Sequence, residues 1–200
     1  MSYSYRVEGF DGASSFDGGT SLLLTGPPAL TDEQLFDVVA PRRGETAVVV
    51  TTNTSASRVA EELLDRGAAG DQVGIIDCTS QESDVDDDGV RVRQLGSPGD
   101  LTGISLEFAK LLDDEGDNAR VRVGFASVST ALMYTEQQTL FRFLHVFTAR
   151  ISSGGMFGTF AMDPGMHDDQ AYNTIRAVFD AESEVANDGV ASLRGTGFEG

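Results

Sequence analysis

Thiols and amines are almost missing from this chain. Cys78 is the one cysteine in 200 residues, which excludes a disulfide within the chain and rules out a thiolate metal cluster built by one chain alone. Lys110 is the one lysine, and Arg supplies the other positive charges. No stretch approaches the roughly 18 consecutive apolar residues of a membrane span. The N-terminal MSYSYRVEGF also lacks the basic-then-apolar order of an export signal, so a cytoplasmic protein without a membrane partner is expected. There is no internal repeat and no Pro/Ser-rich linker. The chain therefore reads as a single domain over 1–200, long enough to bury a full core.

Carboxylate is what the chain has in excess: 32 Asp and Glu stand against 14 Lys and Arg, a formal net charge of −18. An acidic surface nearly free of Lys resembles that of proteins from salt-loving archaea. In molar salt the Debye length is about 3 Å, so such a surface does not unfold itself by self-repulsion. On this reading the charge reports the solvent more than the partner. Nucleic acid is still not expected, because Arg42 with Arg43 and Arg91 with Arg93 are the only local basic clusters.

Apolar runs and helical patterns alternate along the sequence. TSLLLTG (20–26), TAVVVTT (46–52), QVGIIDC (72–78), VRVGFAS (121–127) and MFGTFAM (156–162) are short and bounded by turn residues, as buried parallel strands are. Between them, helices are predicted over 31–40, 55–67, 101–116, 135–151 and 168–182. Thr31 or Asp32, Ser55 and Thr135 are the expected N-caps, with Gly67 and Gly116 at the C-terminal ends. Five strand-helix alternations predict a three-layer α/β fold with a mostly parallel central sheet. GVASLRGTGF (189–198) predicts an added edge strand.

SLLLTGPPALTDEQLF (21–36) has the outline of a phosphate-binding loop, a strand breaking at glycine before a helix. In G-x-x-x-x-G-K-[ST] the glycines let backbone N–H groups curl around phosphate, Lys neutralises the β and γ phosphates, and the hydroxyl holds magnesium. Here Gly26 is the first glycine, followed by Pro27 and Pro28. Thr31 stands at the second glycine, Asp32 at Lys and Glu33 at Ser/Thr. Two carboxylates would face a triphosphate. Read locally, the stretch is a turn and a helix N-terminus in which Asp32 and Glu33 favour the helix dipole.

SPGDLTGISLEFAKLL, VRVGFASVSTALMYTEQQTLFRFLHVFTARI and FAMDPGMHDDQAYNTIRAVFDA, with LLLTGPP before them, resemble the haloarchaeal members of the RecA/KaiC-like ATPase superfamily. The resemblance covers most of residues 20–182. It implies a RecA-like P-loop NTPase fold with degenerate Walker A and Walker B motifs. The superfamily's Walker B aspartate falls on Ala126, just before Ser127, and its water-positioning glutamate, expected after the second strand, falls on Asn53 and Thr54. With Lys, hydroxyl, Walker B acid and water-positioning acid all replaced, the resemblance implies a pseudo-ATPase with no cofactor, no metal and no ATP binding. It would act as a regulatory or scaffolding protein on a protein partner, an active paralogue or further copies of itself. Two other functions stay open: a sensor that holds a nucleotide or other ligand without hydrolysis, and a recombinase-like accessory protein that meets DNA as an oligomer.

Asp84, Asp86, Asp88 and Gly89 match EF-hand loop positions one, three, five and six, but position twelve is Leu95 and a strand precedes the loop, so 80–89 reads as a solvated acidic loop. His145 lies in the Phe-rich helix, whose outer side would be the first contact surface to consider if it is exposed. His167, beside Asp168 and Asp169, would need a nucleophile such as Cys78 or Ser127 to form a catalytic group, and reads instead as a residue that orders a loop. Cys78, with no basic neighbour, reads as a buried inert thiol.

Overall fold

The computed structural model describes residues 3–12, 14–81, 85, 89–116, 119–186 and 191–195. In chain order the elements are β1 (Ser4–Arg6), β2 (Phe10–Asp11), β3 (Ser15–Asp17), β4 (Ser21–Thr25), α1 (Pro28–Val39), β5 (Thr46–Thr51), α2 (Ala56–Asp65), β6 (Val73–Asp77) and β7 (Arg91–Gln94). There follow α3 (Leu101–Glu115), β8 (Val121–Ala126), α4 (Val128–Tyr134), α5 (Gln137–Ser153), β9 (Phe157–Met162), α6 (Asp169–Arg176), β10 (Ala181–Val185) and β11 (Ala191–Gly195). Among the described residues nine strands form one sheet in the order β2-β11-β10-β4-β9-β8-β5-β6-β7, and β1 pairs with β3 as a separate antiparallel hairpin. Every neighbouring pair in the large sheet is parallel except β10 with β11.

The unbroken apolar runs have a direct cause: β4, β5, β6, β8 and β9 are buried along their whole length, because helices cover both faces of the sheet. Successive residues face opposite layers. Leu22, Leu24, Ala47, Val49 and Ile75 pack with α1, α2 and the β1-β3 hairpin. Leu23, Val48, Val50 and Ile76 pack with α3, α4, α5 and Ile175 of α6. The predicted three-layer α/β architecture with a mostly parallel sheet is what forms.

Element boundaries differ in four places, each for a local reason. The helix predicted over 31–40 begins at Pro28, so neither Thr31 nor Asp32 caps it; Pro27 occupies the N-cap without a side-chain bond, and Thr31 Oγ1 donates to Pro27 O at 3.0 Å from inside the helix. Thr135 closes α4 instead of opening a long helix, and α5 starts after Glu136. The pattern over 168–182 breaks at Arg176, and its last residues enter β10, whose short AESEV run lacks a strand-like apolar stretch. The strand near the C-terminus does pair, but β2 lies outside it, so it is not the outermost strand. Ser55 caps α2 through Arg58 N, Gly67 (φ 91°) follows its C-cap, and Gly116 (φ 81°) caps α3, as expected. Edge strand β7 carries RVRQ, with one apolar residue and so no sequence signal of its own.

At the amino edge of the sheet the hairpin is held by a buried ion pair. Arg122 on β8 and Glu45 just before β5 are 1% and 2% exposed. Arg122 Nε donates to Glu45 Oε2 at 2.5 Å, Nη1 to Val38 O at 2.7 Å and Nη2 to Arg6 O at 2.8 Å. Glu45 also accepts from the Tyr3 hydroxyl and the Arg42 amide, both at 2.9 Å. Burial alone would raise the Glu45 carboxyl, but the bonds from Arg122 and Arg42 hold it below the ordinary carboxylate value. That contribution to stability is therefore present above the unfolded-state pKa and is lost as pH falls through the lower folded value. Removing one partner strands the other charge, so E45A is expected to cost about 3–5 kcal/mol in chemical unfolding, and replacing both with apolar residues of similar volume considerably less.

Candidate functional site

Of the residues singled out in sequence, Gly26, Pro27, Pro28, Asn53, Ala126 and Ser127 lie at the carboxyl edge of the sheet, where β4, β9, β8 and β5 end side by side and where open α/β sheets place their ligands. β4 ends at Thr25 and α1 begins at Pro28, so two residues, Gly26 and Pro27, make the whole connection. Gly26 takes φ 145°, and a Cβ there would stand 2.7 Å from Val185 O. Glycine at this position serves a close approach of chain to chain.

An anion cradle needs backbone N–H groups aimed at the ligand. Pro27 and Pro28 have none to offer, and the amides of Leu30 and Thr31 already donate to Pro27 O at 3.1 and 3.0 Å. Thr31 is buried, and Asp32 and Glu33 are the fifth and sixth residues of α1 rather than its first turn, so they do not serve the helix N-terminus as expected. Asp32 faces a cleft of about 460 Å³ between α1 and α2, with Glu33, Phe36, Thr54, Arg58, Glu62 and Arg66. The arginines there are engaged elsewhere: Arg58 with Glu61 and Glu62, Arg66 with Asp37 at 2.6 Å and Glu62 at 2.5 Å. Burial pushes the Asp32 carboxyl up to about 6.

The end of β8 is closed by hydroxyls. Ala126 is buried; Thr52 N donates to Ala126 O at 2.6 Å, Thr52 Oγ1 donates to Ser127 O at 2.8 Å and accepts from Ser127 N at 2.9 Å. The Ala126–Ser127 peptide is cis. Ser127 Oγ accepts from Thr130 N and so caps α4, while Ser129 Oγ accepts from Asp163 N at 3.0 Å and ties α4 to the end of β9. Asn53 is exposed on the turn after β5, and its side-chain oxygen accepts from Thr54 Oγ1 at 3.4 Å. Carboxylates do stand at two neighbouring strand ends, but both serve the backbone. Asp77 accepts from Ala56 N at 2.8 Å and from Thr79, and Asp163 accepts from Gly165 N at 2.8 Å.

Beside Gly26 lies a cavity of about 160 Å³ lined by Thr25, Pro164, Tyr172, Glu182, Glu184 and Arg194. It is smaller than the roughly 300 Å³ at which small-molecule pockets begin. Glu182, mostly buried and raised by that burial, accepts from the Tyr172 hydroxyl and pairs with Arg176 at 2.6 Å. Reading 168–182 as one helix hid this group; the Gly-free AESEV stretch carries no motif that would have exposed it.

The remaining candidates do not join the site. Cys78 is buried, and burial first, then Asp77 and Asp100, push its thiol up to about 12. His145 is exposed on α5 and stacks on Phe141 with ring centroids 6.3 Å apart. His167 ends a short 3-10 turn, Pro164–Met166; its Nε2 is enclosed with no hydrogen-bond partner among the described residues, and burial lowers its pKa against the pull of Asp163 and Asp168. Asp84, Asp86 and Asp88 lie outside the described residues.

A family described as of unknown function, DUF7504, matches residues 19–185. The chain belongs to the DUF7504 family. The matched range runs from just before β4 to the end of β10 and leaves the β1-β3 hairpin outside it. No curated protein matches this DUF7504 chain. Among solved structures it is similar to a KaiC-like protein of the hyperthermophilic archaeon Pyrococcus horikoshii at 13% identity and TM-score 0.67, covering 98% of this chain and 90% of that one. It is also similar to a second Pyrococcus horikoshii protein from a structural study, at 10% identity and TM-score 0.64, covering 92% and 90%. The three-layer fold of this DUF7504 member is thus the KaiC-like RecA fold, and at such identities the likeness speaks for the fold alone. Among the described residues no helix is long and apolar enough to cross a membrane.

Two outcomes are expected here. The folded value of Asp32 lies above its ordinary 3.8, so its charge is a cost at neutral pH that is relieved as pH falls through about 6. D32N should raise stability at pH 7.5 by on the order of 1 kcal/mol, allowing for solvent screening in the cleft, and the gain over wild type should vanish near pH 4 in thermal melts. Cys78 should stay unmodified by a thiol reagent such as iodoacetamide in the native protein and react fully in denaturant.

Proposed function

We propose that this DUF7504 chain is a non-catalytic RecA/KaiC-type domain that acts as a regulatory or scaffolding protein through contacts with other proteins. The observation that carries the reading is the strand-to-helix connection: two residues, Gly26 and Pro27, with α1 already begun at Pro28 and with Asp32 and Glu33 inside it. A cradle for a triphosphate needs a longer loop, free amides and a cation. Putting Asp in place of Lys turns each attraction at about 4 Å into a repulsion of about 4 kcal/mol at an effective dielectric near 20. Ala126 at the end of β8 offers magnesium no oxygen, and the hydroxyls of Thr52, Ser127 and Ser129 are committed to backbone groups.

The charge pattern supports protein over nucleic acid as the partner. Arg42 pairs with Glu8, Arg91 with Glu115, and Arg93 stands 3.7 and 3.6 Å from Glu107 and Asp114, so these clusters hold carboxylates of their own chain. The acidic, lysine-poor composition favours the cytoplasm of a salt-loving archaeon as the setting.

The purified protein in molar KCl is expected to show no magnesium-dependent ATP hydrolysis and no melting shift with ATP or ADP. The double substitution D32K/E33T should not create activity, because the connection remains too short. Hydrolysis by the wild type that a substitution at Gly26 abolishes would overturn the reading.

A further inference from the structure

The acidity of this chain has a gap. Between Asp117 and Asp163, residues 118–162 contain one of the 32 carboxylates, Glu136, although the stretch includes two helices that meet solvent. On α5 the side turned away from Leu140, Leu144, Phe147 and Ile151 exposes Arg142, His145, Val146 and Arg150 and no acid. Arg142 and Arg150, like Arg6, Arg43 and Arg120, have no carboxylate in ion-pair reach among the described residues, whereas Arg42, Arg58, Arg66 and Lys110 each do. Arg150 instead lies over the Phe108 ring of α3, 5.6 Å from its centroid.

Four of the five large exposed apolar side chains among the described residues lie on α3, α4 and α5, the fifth being Met166 on the turn after β9. The most exposed large ones among the described residues include Leu106 on α3 (55%), Met133 and Tyr134 on α4 (67% and 61%) and Val146 on α5 (67%). On the opposite side of the sheet α1 and α2 carry Asp32, Glu33, Asp37, Glu61, Glu62 and Asp65 and no large exposed apolar group, and α3 carries Glu107, Asp113, Asp114 and Glu115, so the acid-free surface is that of α4 and α5.

We infer that the outer face of α4 and α5, with Leu106 of α3 beside it, is the docking surface for an acidic partner protein that brings apolar side chains to the centre of the contact. This rests on the proposed role through protein contacts and names the surface. Exposed Val, Met, Tyr and Leu form the anchor, and unpaired Arg142 and Arg150 receive the partner's carboxylates. A nucleic acid would need a longer row of cations to track its phosphates, and the net charge of −18 opposes it. A second copy could supply charge from α1 and α2 but no large exposed apolar group from them.

The test uses the full chain and a labelled amphipathic helical peptide of Leu and Glu, followed by fluorescence anisotropy. Its Leu/Lys counterpart, a mixed-sequence single-stranded DNA and sedimentation of the chain alone complete the set. Saturable binding of the Leu/Glu peptide is expected, weakened at least about tenfold in R142E/R150E and in V146D but not in R43E, an exposed arginine off this face. Melting curves of the variants confirm that they are folded. No binding of the acidic peptide, equal binding of both peptides, binding of the DNA in preference, or self-association that the same substitutions abolish would each overturn the inference. ATP turnover is read separately, so loss of the non-catalytic reading and loss of this surface are distinguishable.

Discussion

The Arg122–Glu45 pair sits where five pieces of chain meet: the hairpin through Arg6 O and Tyr3, the end of α1 through Val38 O, the turn at Arg42, the start of β5 and β8 itself. A guanidinium enclosed this fully is tolerable only because its partners are a carboxylate and two carbonyls already fixed by sheet and helix. Once it is in place, the positions of β8 and β5 relative to α1 leave little freedom. The close packing of Val39 on Gly124, where a Cβ would meet the valine at 3.0 Å, follows from the same constraint. Tyr5 and Phe16 then stack against Phe157 and carry the hairpin's apolar surface into the core.

With the amino edge locked, the ends of β5 and β8 at the carboxyl edge are closed by small hydroxyls. Thr52, Ser127 and Ser129 satisfy the backbone at the strand ends, and Asp77 and Asp163 do likewise for the neighbouring turns. Each of these five side chains has a backbone partner to serve. The strand ends at this edge are therefore taken up by hydrogen bonds that hold the fold together, and the proposed non-catalytic reading rests on them.

The two helical layers differ in kind as well as in position. One is covered by paired carboxylates and arginines, which interact weakly and are readily solvated. In the other, α4 and α5 carry no carboxylate and leave arginine and large apolar groups facing outward, while α3 beside them keeps Glu107, Asp113, Asp114 and Glu115. In a chain this acidic such a face is what the proposed docking surface rests on.

Much of this was legible in the residues. The five buried strands announced themselves because a strand covered on both faces must be apolar throughout, and Asp32 and Glu33 after the Gly-Pro-Pro stretch and Ala126 at the end of β8 are a matter of spelling. The caps at Ser55 and Gly116 were equally local. What the sequence could not specify depends on contacts between distant segments. RVRQ becomes a strand only because β6 offers an edge, and AESEV only because β4 does. Pro28 rather than Thr31 starts α1 because a proline with its preset φ serves as a first helical residue, while Val185 O crowds the glycine before it. The amino-acid sequence thus determined the layer order, through periodicity and residue type. Tertiary structure alone decided how short the loop is, where the lone buried arginine finds its carboxylate 77 positions away, and which helix face is left outward, since each is set by packing between segments far apart in the chain.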